Sequence, residues 1–375
     1  MPKVKNAFFC STPYQIITSI VLNYLFGEES DIYIVPQFKT AAKCAENLND
    51  LDIFRRVKLV DTSMIEEHKK AKSKLLMHVG IVRQYFNVDV IARSFLFTDT
   101  EYEKIYVSSK AYIPRMAYLY FVKNGFKTEL VYYDDGEGSY YNRYRIEASS
   151  ADKLFRRFVF GKRIQETNQN NQLFLYEPNL YRSLNGNHWK GEIIPIPHVV
   201  CEEPIRSLVS KVFDITKSDV ISERAIILDI LKTGKFSRQD IKRLFEIYGN
   251  IQKVFGDEDT IIKKHPRDKS DELTSFKCYE RYNIPFECLC SQMNMNEKVL
   301  IAVSSTAVVI PKILNGQEPV VILLYKLIEQ TNRNNEYRKK QDSFYQLCKN
   351  NYGEKNRFFI PESFEELAQI LKSFS

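Results

Sequence analysis

A chain of 375 residues exceeds what a single hydrophobic core usually serves and should divide into two domains. Its hydrophobic fraction of 44% and charged fraction of 27% are those of a folded globular protein and exclude general disorder. The net charge of +7 comes with no nucleic-acid-binding motif, and the 7 cysteines are scattered without a CxxC pair, which excludes a zinc framework and suits reduced thiols in the cytosol.

The N-terminus places lysines before apolar residues, as a signal or anchor does. Asn6, Ser11, Thr12, Pro13, Gln15 and Thr18 interrupt the run, however, short of the roughly 18 apolar residues a span needs. A strand over Ala7–Cys10 instead leads through Ser11-Thr12-Pro13, a cap followed by proline, into a helix over Tyr14–Phe26. Strands follow at Asp31–Val35, Val57–Val60, Ile105–Ser108 and Thr128–Tyr133, separated by helical patterns at Lys39–Leu51, Ile65–Tyr85 and Tyr112–Lys123. From Glu147 to about Asp219 the rhythm breaks. This region holds the basic-aromatic run Lys153–Lys162, suited to an anionic membrane surface or to packing on one apolar side, then a polar run Gln165–Gln172 and the proline-punctuated Ile193–Val200. Alternation resumes with strands at Ala225–Leu231, Thr260–Lys264, Val299–Val303 and Pro319–Leu324. The helices here are Ser237–Val254 and Ser363–Phe374. The pattern predicts an α/β protein with mainly parallel sheets, organised as domains 1–155 and 221–375 around an irregular connector and lid at 156–220.

Three strand ends carry chemistry. Val131-Tyr132-Tyr133 stops at Asp134-Asp135-Gly136, where two carboxylates meet a turn; an Asp-Gly pair by itself reads as a solvated turn. Thr260–Lys264 stops at His265-Pro266, where proline stiffens the backbone and Lys263, Lys264 and Arg267 add positive charge suited to an anionic substrate. Val299–Val303 runs into Ser304-Ser305-Thr306, hydroxyls at a helix start that suit a phosphate and also suit capping. No dinucleotide fingerprint, Walker lysine, nucleophile elbow or HExxH motif is present.

These stretches together resemble the bacterial sialyltransferases, and in particular glycosyltransferase family 52. The acidic-acidic-glycine motif of that family is matched by Asp134-Asp135-Gly136, its His-Pro motif by His265-Pro266 and its serine-rich motif by Ser304-Ser305-Thr306. Thr12-Pro13-Tyr14-Gln15 and Pro285-Phe286-Glu287 also resemble family features. The resemblance implies a GT-B fold of two Rossmann-like domains facing a central cleft. It implies inverting transfer of N-acetylneuraminate from CMP-N-acetylneuraminate to a terminal galactose of a lipooligosaccharide or capsular glycan, with no metal and no cofactor.

On that resemblance Asp134 or Asp135 is the general base, with Asp240 and Asp229 of the second domain as alternatives, and His265 is the acid. Ser304, Ser305, Thr306, Lys264, Pro266, Thr12 and Gln15 belong to the donor site, and Glu287 meets the cytidine ribose. The expected setting is the cytoplasm, peripheral to the inner face of the membrane, as a monomer or homodimer without nucleic acid. Two other readings stand beside it: a family-52-type enzyme using another donor such as UDP-glucose, and a non-catalytic glycan- or nucleic-acid-binding protein.

Overall fold

The computed structural model describes residues 3–62, 87–108, 112–140, 171–230, 236–265, 268, 273–328 and 335–374. The chain forms two compact units, Met1–Pro197 with Ser207–Phe213, and His198–Arg206 with Asp214–Ser375. The expected helix at 65–85, the basic-aromatic run at 153–162, Pro266 and Arg267 lie outside the described residues.

Among the described residues of the first unit, seven strands make one sheet: β1 (Lys3–Cys10), β2 (Ser30–Ile34), β3 (Arg56–Leu59), β4 (Glu101–Val107), β5 (Glu129–Tyr133), β6 (Leu173–Leu175) and β7 (Ile193–Pro195). Their order is β3-β2-β1-β4-β5-β6-β7, and every pairing is parallel. The direction of winding reverses between β1 and β4. At such a reversal the crossovers leave on opposite faces and open a crevice at the carboxyl ends. Both faces are covered, so strands such as β2 are buried along their whole length. Aromatic rings fill the layers: Phe8 stacks on Tyr106 at 4.5 Å between centroids, and Phe9 on Tyr33 at 4.6 Å. At the opposite, amino edge, buried Asp31 accepts a bidentate pair from Arg55 (2.9 and 2.6 Å) and the Tyr102 hydroxyl (2.6 Å). That network ties β2 to β4 and to the start of β3 at the amino edge.

The second unit holds β8 (Ala225–Leu228), β9 (Thr260–Lys263), β10 (Val299–Ala302), β11 (Val320–Leu323) and β12 (Phe358–Phe359), in the order β12-β11-β10-β8-β9. Its pairings are also parallel, with the reversal between β8 and β10. The helix Arg238–Phe255 buries Leu244, Ile247, Tyr248 and Ile251, spaced i, i+3, i+4, i+7, against Ile227, Ile262 and Ile301 of the sheet. The architecture is thus α/β, with two Rossmann-like parallel sheets as the alternation implied.

The expected connector is more regular than its composition suggests. Residues 171–197 supply β6 and β7, which extend the first sheet, with the helix Pro178–Asn185 between them. Three-residue strands such as Leu173-Phe174-Leu175 are too short to show a period, and only pairing with β5 defines them. The helix Ile205–Val212 follows, and the Lys211 and Val212 carbonyls accept from Asn47 at 3.1 Å within the first unit. None of the seven cysteines is in a disulfide. No described helix is long and apolar enough to cross a membrane.

Candidate functional site

The acidic pair sits where β5 leaves the sheet, and its two side chains diverge, as successive residues of an extended chain do. Asp134 is wholly buried. Four donors converge on it: the Tyr14 hydroxyl (3.2 Å) and Gly136 N–H (2.8 Å) on Oδ1, and the Tyr140 hydroxyl (2.5 Å) and Tyr176 N–H (3.2 Å) on Oδ2. Gly136 reaches back because its φ of 76° is open to glycine at little cost. Burial pushes the Asp134 carboxyl up to about 6, with the four hydrogen bonds opposing.

A folded-state value above the ordinary carboxylate value favours the protonated native form. The corresponding stability is complete at low pH and is lost as pH rises through about 6. The advantage of the wild type over Asp134→Asn, which cannot titrate, should therefore shrink by about 2 kcal/mol between pH 4.5 and 7.5 in urea unfolding. A pH-independent difference would show that Asp134 is charged at both ends of that range.

Asp135 is half-buried. The Gln15 Nε2 donates to its Oδ1 at 2.6 Å, and its own N–H donates to the Ser139 hydroxyl at 2.6 Å. Gln15 belongs to the first turn of the helix Pro13–Phe26, whose cap is Thr12; the Thr12 Oγ1 accepts the Gln15 N–H at 3.2 Å. The first unit thus brings Thr12, Gln15, Asp134 and Asp135 together on its carboxyl edge, beside the winding reversal.

The remaining expected residues lie in the second unit. Because β9, β8 and β10 are consecutive neighbours, the residues that follow them stand along one edge. Asp229, directly after β8, is buried; its N–H donates to the Lys263 carbonyl at 3.0 Å and its carboxylate accepts from the Tyr248 hydroxyl at 3.0 Å. His265, two residues past β9, is half-buried, as is Lys264, and the His265 carbonyl accepts the Asp268 N–H at 2.8 Å. Ser304, Ser305 and Thr306 follow β10 and are half-buried. Ser305 caps the short turn Thr306–Val309, its hydroxyl accepting the Ala307 N–H at 3.3 Å. Asp240 stands in the first turn of the helix Arg238–Phe255, where the Ser237 cap accepts its N–H at 3.0 Å and donates to its carboxylate. Asp240 therefore serves its own helix end.

Glu287 opens the helix Phe286–Cys290. It is half-buried; burial raises its carboxyl, while its own N–H and the Lys263 ammonium oppose. Lys263 is, in the sequence, only one of the cationic residues beside His265. It is buried, donates to the Tyr282 carbonyl at 3.2 Å and lies 5.6 Å from the Tyr279 ring centre. Burial pushes it down to about 8 against the pull of Glu287. Tyr14, Tyr140 and Tyr176 were also missed as partners of Asp134. Tyr14 adjoins Gln15 in the motif, so its position was visible; the other two read as ordinary core aromatics. Among the described residues no group of three or more His, Cys, Asp or Glu is placed to hold a metal ion.

No family model matches the chain, and no curated protein matches it. Among solved structures it is similar to the UDP-GlcNAc 2-epimerase from Methanocaldococcus jannaschii, at 12% identity over 100% of this chain and 92% of that one, with a TM-score of 0.48. The class of fold, two doubly wound parallel α/β units, rests on the strand orders given above.

Proposed function

We propose that the protein is an inverting, metal-independent glycosyltransferase of the GT-B type that moves N-acetylneuraminate from CMP-N-acetylneuraminate to a terminal galactose of a surface glycan. The observation that carries this reading is the division of labour in the acidic pair. Asp134 is saturated by four donors, whereas half-buried Asp135 is aimed by a side chain from another element. Such an arrangement serves proton abstraction better than a solvated turn, which needs no buried anchor.

In the proposed reaction Asp135 accepts the proton of the acceptor hydroxyl as its oxygen attacks the anomeric carbon of the sugar. The bond from that carbon to the phosphate oxygen breaks, its electron pair goes to CMP, and His265 supplies a proton to the leaving phosphate. The hydroxyls of Ser304, Ser305 and Thr306, with Lys264, stabilise the phosphate charge, and Glu287 accepts from the ribose hydroxyls. Asp134 takes no proton in this scheme and fixes the turn on which Asp135 rides.

The test is transfer from CMP-N-acetylneuraminate to lactose. Transfer is expected, whereas activity with UDP-glucose and none with CMP-N-acetylneuraminate would contradict the donor assignment. His265→Ala should lower turnover by roughly 10²–10⁴. An unchanged rate removes His265 from the mechanism.

A further inference from the structure

The Gln15 amide has a fixed polarity. A main-chain N–H can only donate, so the Ser11 N–H at 2.6 Å must meet Oε1, and the Ser11 hydroxyl donates to the same oxygen at 3.1 Å. The Nε2 end is therefore turned the other way, where it meets the Asp135 Oδ1 at 2.6 Å. Gln15 is 2% exposed, so it has almost no surface to offer a ligand. Its whole amide is engaged inside the protein, with oxygen on Ser11 and nitrogen on Asp135. One residue earlier, Tyr14 donates to Asp134. A single capped helix turn thus grips both carboxylates.

We infer that Gln15 is the positioning residue of Asp135, orienting its carboxylate through Ser11 and donating to its charged form, rather than a ligand of the sugar nucleotide. The inference rests on the reading of Asp135 as base only for its catalytic consequence; the contact itself is independent of any substrate. Titratable groups near Asp135 among the described residues include its neighbour Asp134, Glu137 in the following turn, and the buried Cys10 thiol, which senses the Asp135 charge.

The decisive variant is Gln15→Glu, which keeps the shape and the Ser11 contacts but sets a second carboxyl against Oδ1. Two carboxyls in hydrogen-bond contact share one proton. Carboxyl-carbon NMR titration of the full chain, with the Asp135 signal assigned by its loss in Asp135→Asn, should show the carboxyl pair of Gln15→Glu releasing its last proton roughly 1–3 units above the titration of Asp135 in the wild type. Gln15→Ala, which only deletes the donor, should shift it up by a smaller amount. Identical titration of Asp135 in the wild type and in either folded variant overturns the inference.

Kinetics give a second readout. Gln15→Ala should lower kcat for transfer while leaving KM for the donor within about twofold, since an orientation defect acts in the transition state. A raised donor KM with unchanged kcat would make Gln15 a donor ligand and overturn the inference. If the wild type transfers nothing, the proposed function falls, and the titration still decides whether Gln15 controls Asp135.

Discussion

Asp135→Asn is expected to lower glycosyl transfer by roughly 10²–10⁴ while leaving the melting temperature close to that of the wild type. The acceptor hydroxyl is a weak nucleophile at neutral pH, and an amide in place of the carboxylate cannot take its proton. The stability of the fold depends little on the substitution. The side chain is half-buried, and the backbone contact that fixes the turn, from the Asp135 N–H to the Ser139 hydroxyl, does not involve the carboxylate. Donor binding should be retained, so calorimetry with CMP should give the wild-type affinity. A variant that loses activity together with CMP binding would place Asp135 in nucleotide recognition instead.

Asp134→Ala is expected to have the opposite profile, a large loss of stability. Removing the carboxylate leaves the Tyr14 and Tyr140 hydroxyls and the Gly136 and Tyr176 N–H groups in a buried site with no acceptor. Each unsatisfied donor costs about 1–3 kcal/mol, and reorientation of the two hydroxyls recovers part of that. A net loss of about 4 kcal/mol follows, which lowers the melting temperature of a domain this size by about 10 °C. Asp134→Asn should cost less. Its oxygen still accepts from Tyr14 and Gly136, and the Tyr140 hydroxyl can turn to accept from the new amide; only the Tyr176 N–H faces another donor. Differential scanning calorimetry separates the two variants. An Asp134→Ala protein as stable as the wild type would mean that the four hydrogen bonds contribute nothing net.

Much of this was legible in the residues. The alternation of apolar runs with capped helical stretches places the main strands along the chain, and the stops at Asp134, His265 and Ser304 mark carboxyl ends of parallel strands in the folded chain. What was not legible depends on contacts far apart in sequence. Asp134 and Asp135 are equivalent as letters and become different only when Tyr14 and Gln15, 120 residues earlier, close on them. Lys263 belongs to a basic run by composition, yet strand pairing places it in the interior while Lys264 keeps some exposure. Asp240, by contrast, reads in the sequence both as a carboxylate upstream of the His-Pro motif and as a helix-start charge, and Ser237 engages it at the helix start.

The most direct measurement compares the transfer rates of Asp135→Asn and Asp240→Asn, each from CMP-N-acetylneuraminate to lactose and each with its melting temperature recorded. Asp135→Asn should fall by roughly 10²–10⁴, and Asp240→Asn, whose carboxylate serves its own helix end, should stay within a few-fold of the wild type. The reverse result, with Asp240→Asn inactive but folded and Asp135→Asn active, would contradict the assignment of the base to the acidic pair of the first unit.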